Sequence, residues 1–302
     1  MKKIDIIINF IIVNYKTFED TIECISSIYD QNFSKNSNYR IIVIDNNSKN
    51  NSIVKISNFF NNKKINQIKS TNGKLKFGLN LIQNTQNSGF GAANNFVFNL
   101  INDGYVFLIN PDIVLGKNFI CSIDFSSLKE DFIYGFPTYD FEDKNKLLFY
   151  GGNRLNYLFG AVVSVKSKKD KIDYINGSGL MSHFSFFKNF KFKEDYFLYW
   201  EETDLCVSYA KNKLEVIPES ILYDKKSTSI GRGFLSEYYY QRNKLFFFKK
   251  HKPFALPYYI LISVFSLFLK IFKLKFPKFR PHLLAIKHFI INRTGKLNEI
   301  IH

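Results

Sequence analysis

The feature that most constrains this chain is an apolar run that stops on a carboxylate. Tyr105-Val-Phe-Leu-Ile leads straight into Asn110-Pro111-Asp112. That is the pattern of a central strand in an open α/β sheet, where ligands bind outside the carboxyl ends of the strands. Arg40-Ile-Ile-Val-Ile ends on Asp45 in the same way. Either both acids face a shared site, or each caps a turn, a common role for Asp.

The surrounding pattern supports a layered α/β chain. Ile4 to Val13 is apolar and β-branched, as in a strand buried on both faces. Ile22, Ile25 and Ile28 recur at helical spacing between Thr21 and Tyr29. A short helix over Ile53 to Phe60, a strand over Phe77 to Ile82 and a helix carrying Ala93, Phe96, Val97 and Leu100 follow. Alternation of this kind predicts right-handed βαβ units around a mostly parallel sheet flanked by helices, a Rossmann-like nucleotide-binding half. Phe119 to Ser182 is less regular. A helix is expected from Glu201 to about Lys211, and a strand over Leu214-Ile217.

Charge divides the 302 residues unevenly. From Gln241 onward there are thirteen Lys or Arg and one acid, Glu299, so +12 of the net +16 lies in the last sixty or so residues. A basic segment of this kind seeks a polyanion. Cys24, Cys121 and Cys206 are widely spaced and odd in number, which fits neither a disulfide framework nor a zinc pattern and suits a reducing compartment. Met1-Lys2-Lys3 before an apolar run imitates a signal peptide, but Asp5 and Asn9 interrupt it, so the first strand is the expected identity.

Four constellations could carry chemistry. Asn87-Ser-Gly89-Phe-Gly91-Ala-Ala-Asn94 lacks the third glycine of a dinucleotide fingerprint, yet a glycine turn into a helix can approach a phosphate through backbone donors. Asp112, alone or with Asp45, offers oxygen to a hard cation. Glu201, Glu202 and Asp204 crowd three carboxylates into four residues. Their repulsion raises at least one pKa and can make a general base, or they simply suit the N-terminus of a helix. Asp224-Lys225-Lys226 to Gly231-Arg232-Gly233 reads as a phosphate-clamping loop or a solvated one.

Taken in order, the pieces resemble glycosyltransferase family 2, its rhamnosyltransferase-like branch in particular. The matching motifs are Val13-Asn14-Tyr15, Ile44-Asp45-Asn46-Asn47-Ser48, Asn87 to Asn95, Leu108-Ile-Asn110-Pro111-Asp112, Gly177-Ser178-Gly179, Phe197 to Cys206, and Gln241-Arg242-Asn243-Lys244. The resemblance covers roughly residues 6 to 250. It implies a GT-A fold with a nucleotide-sugar half (1–115), an acceptor and catalytic half (116–240) and a basic helical tail (241–302). The activity it implies is inverting transfer of a sugar from a UDP- or dTDP-sugar to a hydroxyl of a lipid-linked glycan. The setting would be synthesis of a bacterial surface polysaccharide such as O-antigen, lipooligosaccharide or capsule.

Carried over by position, Asn14 and Asp45 would hold the base and ribose. Val13, Tyr15, Asn47, Gly89, Phe90, Gly91, Asn94, Asn110, Pro111, Lys226 and Arg232 would complete the donor site. Asp112 and Asp224 would hold Mn2+ or Mg2+, Asn110-Pro111-Asp112 being a degenerate Asp-x-Asp. Gly177, Ser178 and Trp200 would face the acceptor. Glu202 would be the base, with Glu201 in reserve and Asp204 in support. Two positions depart from the family: Glu202 stands where Asp is usual, and Asp224 where His is frequent. They leave room for a second reading, a catalytically dead glycosyltransferase-like protein that binds at the membrane surface.

In the tail, Pro253 to Leu269 is uncharged and apolar, and basic and apolar residues alternate from Lys270 to Arg280. That composition suits a helix lying on an anionic membrane, so a peripheral location on the cytoplasmic face of the plasma membrane is expected. The alternative use is an oligomer interface such as a homodimer. No nucleic-acid-binding motif is present, and the cations lie among apolar residues rather than along a polar stripe.

Overall fold

Ile8, Phe10 and Ile12 of the first strand, β1 (Ile6–Asn14), are buried on one face, and Ile11 is buried on the other. Such a strand needs a packed layer above and below it. The computed structural model, which describes residues 6–33, 37–68, 73–226, 233–272 and 276–297, supplies both. After β1 come α1 (Phe18–Tyr29), β2 (Ser37–Asp45), α2 (Ser52–Phe59), β3 (Ile65–Ile68), β4 (Gly78–Gln83), α3 (Phe90–Phe98) and β5 (Tyr105–Ile109). The alternation matches the periodicity; β3, four residues with one buried side chain, has no comparable pattern.

The irregular middle is mostly short strands. These are β6 (Ile113–Leu115), β7 (Ile133–Gly135), β8 (Pro137–Asp140), β9 (Leu147–Tyr150), β10 (Gly152–Asn156), β11 (Ala161–Ser164), β12 (Tyr174–Ile175) and β13 (Gly179–His183). Helices α4 (Phe184–Asn189) and α5 (Glu201–Tyr209), strands β14 (Leu214–Val216) and β15 (Leu222–Asp224), and helices α6 (Phe234–His251), α7 (Leu256–Phe272) and α8 (Phe276–Ile290) complete the chain.

The main sheet runs β14-β7-β13-β5-β1-β2-β4-β3. Among the described residues β13 alone runs against its neighbours. One face carries α1 and α2 over Phe10, Ile25, Phe107 and Phe136; the other carries α3, α5 and α6 over Ile44, Leu108, Leu205 and Phe247. The expected boundary at 240/241 falls inside α6, whose Leu245, Phe247 and Phe248 share a core with Leu205 of α5.

A local strain matters most for the site. Phe197, Tyr199 and Trp200, just before α5, have φ of 65°, 64° and 76°. Bulky residues are rare there, at a cost of about 1–3 kcal/mol each. The surroundings must therefore hold them. Asn243 of α6 does so, its Nδ2 donating to the carbonyls of Tyr196 (2.8 Å), Leu198 (2.7 Å) and Tyr199 (3.0 Å). Arg242, fully buried, adds a donation to Tyr196 O at 3.0 Å and orients Asn243 by donating from Nε to its Oδ1 at 2.9 Å.

Asn243→Asp keeps the shape but puts a carboxylate against three carbonyls. The expected loss is about 2–4 kcal/mol of stability, read by urea unfolding. Trp200 is the only tryptophan and is 3% exposed, so its native emission should also shift to the red as the loop loosens.

Candidate active site

The strand ends gather where the first motif placed them. A cleft of about 470 Å³ opens at the carboxyl edge of β1, β2 and β5. Val13, Tyr15, Gly89, Phe90, Asn110, Pro111, Asp112, Asp224 and Lys226 line it, nine of the expected residues. Its opposite wall is Phe197, Leu198 and Tyr199, with Leu235 and Tyr239 of α6 and Lys296 and Leu297 near the C-terminus.

Gly89 brings the two walls together. Its φ is +88°, and a Cβ there would stand 2.2 Å from Phe197 O. Without one, the next amide, Phe90 N, donates to that carbonyl at 2.9 Å. The helix-entry turn and the strained loop are thus one unit. Gly177 packs by the same logic against the Phe90 ring, and Asn110 N donates to Ser178 O at 3.4 Å, so Gly177 and Ser178 border the strand-end motif.

Other expected residues lie beneath the cleft rather than on it. Asp45 is 1% exposed and accepts from Asn14 Nδ2 (2.5 Å), Ser48 Oγ (2.5 Å), Ser48 N (2.9 Å) and Gln83 Nε2 (2.9 Å). Its carboxylate is saturated by the network that closes the turn, so Asn14 and Asp45 shape the floor; Asn46 borders the cleft but is 3% exposed, its amide bonded to Asn87, Gly89, Asn84 and Ser88. Asn47 points away, its amide on Thr85 O. Gly91 and Asn94 are buried in α3, and a Cβ on Gly91 would meet Phe192 at 3.0 Å. Trp200 is a core residue and not an acceptor platform: it packs on Tyr240, Phe247 and Phe248 and donates its indole N–H to Tyr240 O at 3.1 Å. Arg232 lies outside the described residues.

The corner that holds Asp112 and Asp224 is built by pairing β6 with β15. Asp224 is opposite Ile113, and Lys225 N donates to Asp112 O at 3.0 Å. Lys225 braces the corner against α1 through Asp20 (2.8 Å) and Glu23 (2.6 Å). Burial pushes the Asp224 carboxyl up, and Asp140 adds to the push, a strain that a bound cation would relieve. Two carboxylates on one cleft suit a hard divalent ion that takes its remaining oxygens from a diphosphate and water. Among the described residues no three His, Cys, Asp or Glu cluster as a complete metal cage. The Lys226 ammonium is engaged by Asp140, so it does not stand open to a phosphate.

The three acids of α5 have separate environments. Glu201 is 3% exposed, its Oε2 has no partner among the described residues, and burial together with Glu202 drives its pKa well up. Burial pushes Glu202 up to about 7. Neither glutamate lines the cleft, but Tyr199 does, and burial and then the two carboxylates push its phenol up to about 12. Asp204 is a structural tie. Burial would raise it, but His251 Nε2 (2.7 Å) and Lys250 Nζ (2.8 Å) hold it below the usual range and pin α5 to the end of α6. Burial thus pushes both Glu201 and Glu202 up, while His251 and Lys250 hold Asp204 down.

A family model described as glycosyl transferase family 2 matches residues 9–195. No curated protein matches the chain. Among solved structures, mannosyltransferase PcManGT from Pyrobaculum calidifontis, in complex with GDP-Man and Mn2+, superposes with a TM-score of 0.57 at 11% identity, over 95% of this chain and 87% of that one. GalNAc-T7 with UDP, GalNAc and Mn2+ gives 0.58 at 11% identity, over 82% and 48%. S. aureus TarS gives 0.51 at 14%, over 80% of this chain and 39% of TarS; its 1–349 fragment with UDP-GlcNAc gives 0.56 at 13%, over 94% and 81%. These likenesses establish the GT-A fold. The family model spans well over half of the residues, from inside β1 to the loop before α5, and on that match the chain belongs to glycosyltransferase family 2.

Proposed function

We propose that the protein is an inverting glycosyltransferase that moves a sugar from a nucleotide-diphosphate donor to a hydroxyl of a lipid-linked glycan. One observation carries the reading: a single cleft combines Asp112, Asp224 and the Gly89-Phe90 turn, and its Tyr199 feels the charge of Glu202, a carboxyl that burial pushes up to about 7. The neighbours in complex with UDP, UDP-GlcNAc and GDP-Man support the donor class.

The nucleoside would lie over Val13, Tyr15 and Asn46, with the diphosphate toward Asp112 and Asp224. Mn2+ or Mg2+ bound by those two carboxylates would neutralise charge on the departing diphosphate. Glu202 takes the proton of the acceptor hydroxyl. The oxygen forms its bond to the anomeric carbon from the face opposite the diphosphate. The carbon–oxygen bond to the β-phosphate breaks, and its electron pair leaves with the nucleotide. A base near pKa 7 is deprotonated enough to act and basic enough to pull, a contribution on the order of 10²–10⁴-fold. The apolar, basic tail supports an acceptor carried on a lipid, as in surface-polysaccharide synthesis.

Nucleotide diphosphate release, followed over a panel of donors with Mn2+, tests the activity; no turnover with any donor and acceptor would overturn it. Glu202→Gln should lower kcat at least a hundredfold, on the scale of general-base loss, with donor affinity unchanged. For the wild type, kcat/KM should rise with pH and level off above about 7, because Glu202 acts in its deprotonated form. An acidic limb retained in Glu202→Gln would assign the base elsewhere. Asp112→Asn should weaken nucleotide diphosphate binding in Mn2+ by about tenfold or more and leave metal-free binding unchanged, by calorimetry.

A further inference from the structure

The outer face of α7 is bare. Phe254, just before it, and Tyr258, Leu261, Phe265, Phe268 and Phe272 follow at intervals of four, three, four, three and four, one stripe of a helix. All six are exposed, Phe254 completely. The inner face is different: Tyr259, Ser263 and Leu267 are buried. Single exposed apolar side chains are ordinary, but a joined set is not.

A second apolar element, unmarked by any periodicity, meets the start of this stripe. The turn between β10 and β11 exposes Leu158 and Phe159, at 63% and 61%. Tyr258 Oη donates to Leu158 O at 2.6 Å and Tyr259 Oη to Tyr157 O at 3.0 Å. Gly160, at φ +55°, lets the Tyr259 and Phe248 rings close on the turn; a Cβ there would lie 3.1 Å from the first. Turn and helix therefore present one surface. Cations rim it. Lys252 sits with Nζ 5.0 Å from the Tyr157 ring, and Lys278, Arg280 and Lys287 are exposed on α8. A cavity of about 570 Å³ beside Tyr157 and Lys252 is lined by Lys168, Lys171 and Lys211 against Asp170 and Asp173, Lys171 pairing with Asp173 at 3.4 Å, so it adds at most one net positive charge.

We propose that this surface docks on an anionic lipid bilayer, α7 lying in the plane of the interface and the Leu158-Phe159 turn inserting beside it. Pro253–Phe272 is 20 residues long with a mean hydropathy of 1.9, enough to span by length and composition. Its inner face argues for lying flat. Ser263 Oγ meets His282 Nε2 at 2.9 Å, and Lys270 donates to Glu237 at 2.5 Å, which fasten α7 to α8 and α6. A spanning α7 would carry the charges of those helices into hydrocarbon. A second copy of the chain is a poorer occupant, since a two-fold interface lays the same patch on itself and sets basic rim against basic rim. An anionic surface attracts that rim.

The contact deepens the proposed lipid-borne acceptor and rests on that reading for its use, not for its geometry. Asn153 of β10 pairs with Tyr174 of β12, and Tyr174 lies within the field of Glu202. The sheet that carries the inserting turn is thus the one that flanks the base.

The test is co-sedimentation of the full chain with vesicles of phosphatidylcholine alone or mixed with phosphatidylglycerol, without donor or acceptor. Binding should require the anionic lipid and weaken with salt. Phe265→Ser with Phe268→Ser, and separately Leu158→Ser with Phe159→Ser, should each reduce it about tenfold or more, with nucleotide binding intact. In Phe159→Trp, brominated lipid should quench the new residue strongly, while buried Trp200 contributes little. No binding to anionic vesicles would overturn the proposal, as would a lipid-free dimer that the Phe265 and Phe268 changes dissociate. Because no glycan enters the assay, either result leaves the transferase reading to stand or fall on turnover.

Discussion

One side-chain amide holds the active-site wall in place. Asn243 Nδ2 reaches three carbonyls of the segment before α5, and that segment contains three aromatic residues in a backbone region that disfavours them. Without those bonds the loop would relax toward extended or right-handed backbone. Phe197 would then release the Phe90 amide, and Tyr199 would leave the wall of the cleft. The donor cleft and the candidate base are therefore set by α6, an element outside the span of the family model.

The helical tail is accordingly part of the scaffold of the cleft, and it also carries the proposed membrane face. Arg242 is buried and donates to Tyr196 O, Tyr238 Oη and Gly295 O, while Asp204 receives Lys250 and His251. These bonds join α5, α6 and the C-terminal segment, whose Lys296 and Leu297 reach the cleft. The proposed bilayer face lies on the same bundle, so docking and transfer would share one scaffold.

Much of this was legible in the residues. The alternation of buried strands and amphipathic helices up to β5 follows from periodicity, because a two-sided hydrophobic strand has few other uses. The place of Asn110-Pro111-Asp112 on the cleft was legible for the same reason: an apolar run ending on an acid marks the carboxyl edge of a sheet, where ligands bind. Asp45 looked identical, but its four donors come from positions 14, 48 and 83, and saturation by distant partners has no local pattern. Trp200 misled because aromatic residues suit both sugar faces and cores, and burial against α6 decides between them. The clamp at Asn243 acts 44 to 47 residues away, and the apolar turn at Leu158-Phe159 gains meaning only beside α7.

A structure of the protein with a nucleotide diphosphate and Mn2+ tests the central claim most directly. The account predicts the diphosphate in the cleft beside Asp112 and Asp224, the nucleoside over Tyr15 and Asn46, and Asn243 still bonded to the Phe197–Trp200 loop. A nucleotide bound elsewhere, or one bound here with neither carboxylate near the metal, would contradict it.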